Sequence, residues 1–138
     1  MRIRLAAAFS AAALTTGMLL GAPPAGARAS GYPTNTFDVT LGNTYTRGTL
    51  TWYNRRVAVV GEQKSVSSEN CRQTTAFSLD SKNKQLGYAV TPEIACGESQ
   101  RVDFSVGASV PGGAAVVRIC LDDGTKALRC ERYGRPAR

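Results

Sequence analysis

From residue 36 onward, apolar and polar residues alternate in short runs separated by Gly, Pro, Asn and Asp, with Val, Thr, Tyr and Phe prominent. Successive side chains of an extended strand point to opposite faces, so this period of two predicts half-buried strands. No stretch carries the 3.6-residue period of an amphipathic helix.

Three hairpins follow from register. A turn at Asn54-Arg55, or a four-residue loop from Tyr53 to Arg56, sets Trp52 opposite Val57 and Leu50 opposite Val59. Four apolar side chains then share one face, and Tyr53 and Arg56 share the other. A polar loop from Asp80 to Gln85 sets Leu79 opposite Leu86 and Phe77 opposite Tyr88, with Tyr88 facing the core. A Pro111-Gly112 turn sets Val106 opposite Val117, Phe104 opposite Ile119 and Val102 opposite Leu121. A slip of one residue in any pairing would turn its apolar side chains outward. "TFDVTL" at 36–41 and a last strand near 127–133 bring the count to about eight.

Strands with one apolar face must bury it against a second sheet or close on themselves. The predicted fold is all-β, an immunoglobulin-like two-sheet sandwich of about eight antiparallel strands; a small closed β-barrel satisfies the same pattern. Trp52 precedes all four cysteines, so the Cys…Trp…Cys order of true immunoglobulin domains is absent.

The cysteines then fall into place. Cys71 and Cys96 flank the second hairpin, and Cys120 and Cys130 flank "LDDGTKALR", whose Asp123-Gly124 is a turn signal. The most local pairing is Cys71–Cys96 and Cys120–Cys130. Because Cys120 alternates with Ile119 and Leu121, its bond is expected on the outer side of its sheet. An even cysteine count without CxxC spacing reads as disulfides in an oxidising compartment.

The N-terminus agrees with that compartment. Arg2 and Arg4 precede an uncharged, Ala-rich stretch from Leu5 to Leu20, and Ala27-Arg28-Ala29 fits a cleavage site before Ser30. Residues 1–29 are predicted to be a signal-peptide helix, and residues 30–138 the exported domain. The domain's ends, 30–35 and 134–138, are expected to be flexible. No membrane span is expected in the mature chain. Without Arg2, Arg4 and Arg28, the 17 basic residues become 14 against 10 acids, a net charge of +4. That is too weak for a nucleic-acid footprint but favours anionic surfaces.

Chemistry-bearing groups are sparse. The chain has no histidine, no P-loop, no GxGxxG and no G-x-S-x-G motif. Histidine-based nucleophilic triads and histidine metal sites are therefore excluded. Asp122-Asp123 sits in a turn, where Asp is favoured for backbone reasons. The expectation is a protein that is not an enzyme, with no metal and no cofactor.

The binding candidates are Tyr53, Arg55 and Arg56 at the first hairpin, with Arg132 and Arg135 of the basic C-terminal stretch. Register removes Trp52 from this set as a core residue. The partners to expect are an anionic cell-wall polymer, a polysaccharide or an extracellular protein, met by a monomer.

Several stretches are also familiar together. The Ala-rich leader, "RGTLTWYNRRVAVVG" at 47–61, "CR" at 71–72, "ACG" at 95–97 and "VPGGAAVVRICLDDG" at 110–124 resemble small secreted actinomycete proteins of unassigned function. The resemblance covers most of the mature chain. It implies a Gram-positive exporter and a β-sandwich-like domain, and it assigns no residue a role.

Two functional expectations result. One is a non-enzymatic secreted β-domain that binds at or outside the cell envelope. The other is an inhibitor of an extracellular protease or glycosidase, working through the aromatic-arginine turn.

Overall fold

The computed structural model describes residues 31–137; the predicted signal peptide, Ser30 and Arg138 lie outside them. Eight strands run in order: β1 Thr34–Leu41, β2 Thr44–Trp52, β3 Arg56–Lys64, β4 Gln73–Leu79, β5 Gln85–Val90, β6 Ser99–Gly107, β7 Val116–Asp122 and β8 Ala127–Gly134. All pairings are antiparallel, and they form two four-stranded sheets, β1-β2-β3-β6 and β5-β4-β7-β8. The fold is a two-sheet sandwich, not a closed barrel. The pairing of β3 with β6 in one sheet and β4 with β7 in the other matches the B–E and C–F neighbours of immunoglobulin sheets. Among the described residues no helix is long and apolar enough to cross a membrane.

The first hairpin has the predicted register, with Leu50 paired to Val59 and Trp52 to Val57, all four fully buried. Opposite them across the sandwich, Val117, Ile119 and Leu121 of β7 and Ala76 of β4 complete the core. Trp52 Nε1 donates to Asn35 Oδ1 at 2.7 Å, which satisfies its only polar atom inside the core. That bond and Trp52 N–H to Pro33 O, 2.9 Å, draw the start of the domain into the sheet. Thr34 and Asn35, expected in a flexible lead-in, are the first residues of β1.

The third predicted hairpin does not form. β6 pairs with β3, placing Val57 beside Val106 and Val59 beside Phe104, while β7 pairs with β4 and β8. The Pro111-Gly112 segment instead carries the chain from one sheet to the other. Val102 and Val106 face the same core as Val117, Ile119 and Leu121, but from the opposite layer. Alternation reports which face is apolar and is silent on whether that face meets its neighbour or the other sheet.

The second hairpin forms with two corrections. A bulge between Ser78 and Leu79 pairs Leu79 with Gln85 rather than Leu86. Phe77 does pair with Tyr88, yet Tyr88 is 57 % exposed and lies on the outer face. The inner face of β5 carries Gly87 and Ala89 because the sandwich is narrow there. A Cβ on Gly87 would stand 2.2 Å from the Gly107 carbonyl oxygen of β6. No side chain fits at Gly87 itself, and Leu86, displaced by the bulge, is the large β5 side chain that packs against the core.

One end of the interior is polar. The Thr74 hydroxyl lies 2.8 Å from that of Thr46 and donates to Gln63 Oε1 at 2.7 Å, and Gln63 Nε2 donates to the Glu93 carbonyl at 2.7 Å. This network takes the place of hydrophobic packing there, and Arg72 and Ala95, the chain neighbours of the Cys71–Cys96 disulfide, exchange both backbone hydrogen bonds.

Candidate functional site

Both disulfides have the predicted connectivity, Cys71–Cys96 and Cys120–Cys130. Cys120 and Cys130 are direct partners across β7 and β8, with Cα atoms 4.1 Å apart. That spacing belongs to a pair that exchanges no ladder hydrogen bonds. Their bond lies on the outer face of the second sheet, as alternation requires.

The same face carries an ordered row. Tyr88 of β5 pairs with Phe77 of β4, Phe77 with Arg118 of β7, and Arg118 with Arg132 of β8. Directly opposed residues share a face, so these four side chains line up across all four strands. At 4.7–4.9 Å between strands the row spans roughly 14 Å. The Phe77 and Tyr88 rings are 5.1 Å apart, and the Arg118 guanidinium lies 4.3 Å above the Phe77 ring. Beside this row runs a second one: Val90, Thr75, Cys120 and Cys130.

Phe77, Tyr88, Thr75, Val90 and Cys120 of these rows, with Gln73 and the Asp122–Ala127 turn, border a depression, beyond which Arg118 and Arg132 continue the row; its volume is about 220 Å³. That is below the 300–1,000 Å³ of pockets that enclose a small molecule, so the feature is a shallow track. Asp122 is committed to the turn: it accepts from the Thr75 hydroxyl and, at 2.9 Å, from the Gly124 N–H. Three other hollows of about 390–430 Å³ open between loops, and no aromatic side chain lines any of them.

Three guanidinium–ring stacks occur among the described residues, and their surroundings differ. Arg47 lies 3.6 Å over Tyr45 and its Nε is 3.6 Å from Asp38 Oδ2. Arg56 lies 4.3 Å over Tyr53 and donates to Ser105 Oγ at 2.9 Å. Arg118 has no such acceptor, and its Nε is buried with no hydrogen-bond partner among the described residues.

The predicted binding residues divide between two places. Tyr53, Arg55 and Arg56 lie at the β2–β3 tip, where the Tyr32 ring packs 4.6 Å from that of Tyr53. Tyr53 N–H donates to Arg56 O at 2.9 Å, and neither Asn54 nor Arg55 has a positive φ. Arginine is therefore unstrained in this turn. Arg55 is exposed, and its carbonyl accepts from Ala108 N–H at 2.8 Å.

Arg135, expected in a flexible tail, is a tie. Its N–H donates to Ala115 O at 2.9 Å, and its guanidinium donates to Gly112 O at 2.7 Å and Trp52 O at 3.4 Å. Arg132 is exposed on the outer face of the second sheet, where it donates to Asn83 Oδ1. It therefore belongs with Phe77, Tyr88 and Arg118, none of which the sequence reading proposed as binding residues. Arg118 stands between Val117 and Ile119, so alternation alone turns it outward, but its partners depend on the long-range β4–β7 register.

Asp123 organises the turn below this face. Its carboxylate accepts from the Thr125 hydroxyl at 2.7 Å and from the Thr125 and Lys126 N–H groups at 2.9 Å each. These bonds, led by that of the Thr125 hydroxyl, lower its pKa to about 2.

No protein-family model, curated protein or solved structure matches the chain.

Proposed function

We propose that this chain is an exported, non-catalytic binding module that engages its ligand outside the cell through the outer face of the β5-β4-β7-β8 sheet. The observation that carries this reading is Arg118, a partly buried cation stacked on Phe77 whose Nε meets no acceptor among the described residues. Burying an unpaired donor on a charged group is costly, and a ligand whose anionic group pairs with the same guanidinium offsets that cost. The leader-like N-terminus and the two disulfides support export. The resemblance to small secreted actinomycete proteins supports a Gram-positive envelope as the setting.

Co-sedimentation with isolated Gram-positive cell walls tests the reading. The protein is expected to pellet with the walls, Tyr88→Ala to remain in the supernatant, and Arg55→Ala to pellet like the parent. Equal retention of Tyr88→Ala and the parent would contradict it.

A second reading, an inhibitor of an extracellular protease or glycosidase, is supported by the Tyr32, Tyr53 and Arg56 stack at an exposed hairpin tip. Inhibition of α-amylases or serine proteases that is lost in Arg55→Ala would favour it.

A further inference from the structure

Resting on that reading, we infer that the ligand of the sheet face is an acidic polysaccharide laid across the strands. Its sugar rings stack on Tyr88, which Phe77 backs, and its anionic groups meet Arg118 and Arg132.

The segregation along the row carries the argument. A free anion would need only the cations, and a neutral glycan only the rings. Here two rings are followed by two guanidiniums in one line of roughly 14 Å, long enough for several linked units. Guanidinium groups offer forked donors matched to carboxylate and phosphate oxygens. The flat faces of sugar rings present C–H groups that pack on aromatic rings, and Tyr88 holds its ring out to solvent.

The electrostatics agree. Asp122, the carboxylate bordering the track, already accepts hydrogen bonds from Thr75 and Gly124. Lys126 lines the track beside it, so three cations border the face. Arg132 gives an N–H to neutral Asn83 and makes no ion pair among the described residues.

An acidic peptide fits less well. Extended peptides gain affinity by adding to a sheet edge with their backbone. The row crosses β4 and β7 in the sheet centre, where backbone N–H and C=O groups are engaged in the ladders. Sugar hydroxyls instead require side-chain partners, and the oxygens of Gln73, Thr75 and Thr125 line the track as acceptors, their donors being turned to the Thr91 carbonyl, Asp122 and Asp123.

The test is titration of the secreted protein, followed by NMR and calorimetry, with four probes. They are polygalacturonate, its full methyl ester, poly(glycerol phosphate) and polyglutamate. Polygalacturonate is expected to bind with shifts at residues 77, 88, 118 and 132; poly(glycerol phosphate), which has no sugar rings, binding as tightly or more tightly would overturn the polysaccharide and leave only an anion site. The methyl ester should bind at least about tenfold more weakly than polygalacturonate if carboxylate is the group recognised. Arg132→Gln, an exposed edge-strand change, should weaken binding by about tenfold and Tyr88→Ala by about fivefold.

Binding of the methyl ester as tight as the acid, with Tyr88 still required, would overturn the acidic preference and leave the binding module intact. Polyglutamate binding as tightly as the acidic glycans would replace the polysaccharide by a peptide. Absence of shifts on this face with every probe, while wall fractions still bound elsewhere, would overturn both the ligand class and the face.

Discussion

The Tyr133 hydroxyl accepts a hydrogen bond from the Asp38 N–H at 3.0 Å and donates one to the Asp38 carbonyl at 2.9 Å. One side chain of β8 thus satisfies both backbone groups of a residue on β1, an edge strand with no strand beyond it among the described residues. With the Tyr133 ring against Phe37 at 6.2 Å, the contact seals the open side of the sandwich. Tyr133→Phe keeps the ring and removes both bonds, so it is expected to lower stability by about 1–2 kcal/mol in denaturant titrations.

The same residue predicts an alkaline limit. Burial foremost raises the Tyr133 pKa above 10, so the folded state holds its proton more tightly than the unfolded chain. This stabilisation is complete below about pH 10 and is lost as pH rises through the raised value. Melting temperatures are expected to fall above pH 10 in the parent, and to fall less steeply in Tyr133→Phe.

Gly87 is predicted to be intolerant of any side chain. The obstacle is the Gly107 backbone carbonyl, which cannot rotate away as a side chain would. Gly87→Ala should cost about 1–3 kcal/mol, read as a lower denaturation midpoint, and should separate β5 from β6. Gly42→Ala, where open space surrounds the missing Cβ but φ is +59°, should cost only about 1 kcal/mol.

The disulfides are expected to differ in weight. Cys71–Cys96 spans 25 residues and Cys120–Cys130 spans 10. Loop-closure entropy assigns them about 3.5 and about 2.7 kcal/mol. Replacing each pair by Ser and measuring unfolding should give losses in that order.

Asp123 should titrate at about 2, visible as a carboxyl 13C shift. Because its folded pKa lies below the ordinary value, its contribution is present above about pH 4 and is lost as pH falls through about 2. Asp123→Asn should remove that acid-dependent part and increase amide exchange at Thr125 and Lys126.

The strands and the local pairings were legible in the sequence, and the long-range pairings were not. Leu50 with Val59 and Trp52 with Val57 were readable because a short turn fixes register between neighbours. Cys120 with Cys130 followed for the same reason. Val106 and Val117 misled because two apolar faces look alike whether they pair within a sheet or meet between sheets. Tyr88 misled because the small inner residues Gly87 and Ala89 acquire meaning only once the approach of β6 is known. Arg135 looked like a tail because nothing local marks the Gly112 and Trp52 carbonyls as its acceptors. The binding face had the same obstacle: Tyr88, Phe77, Arg118 and Arg132 lie on four strands and are joined only by the sheet order.

The most direct measurement is the Nε–Hε resonance of Arg118 during titration with polygalacturonate. If the sheet face holds anionic groups, this resonance shifts and saturates together with the Tyr88 ring signals, and its solvent exchange slows. A resonance that stays fixed while the Tyr53 and Arg56 signals move would place the ligand at the hairpin tip and contradict the account.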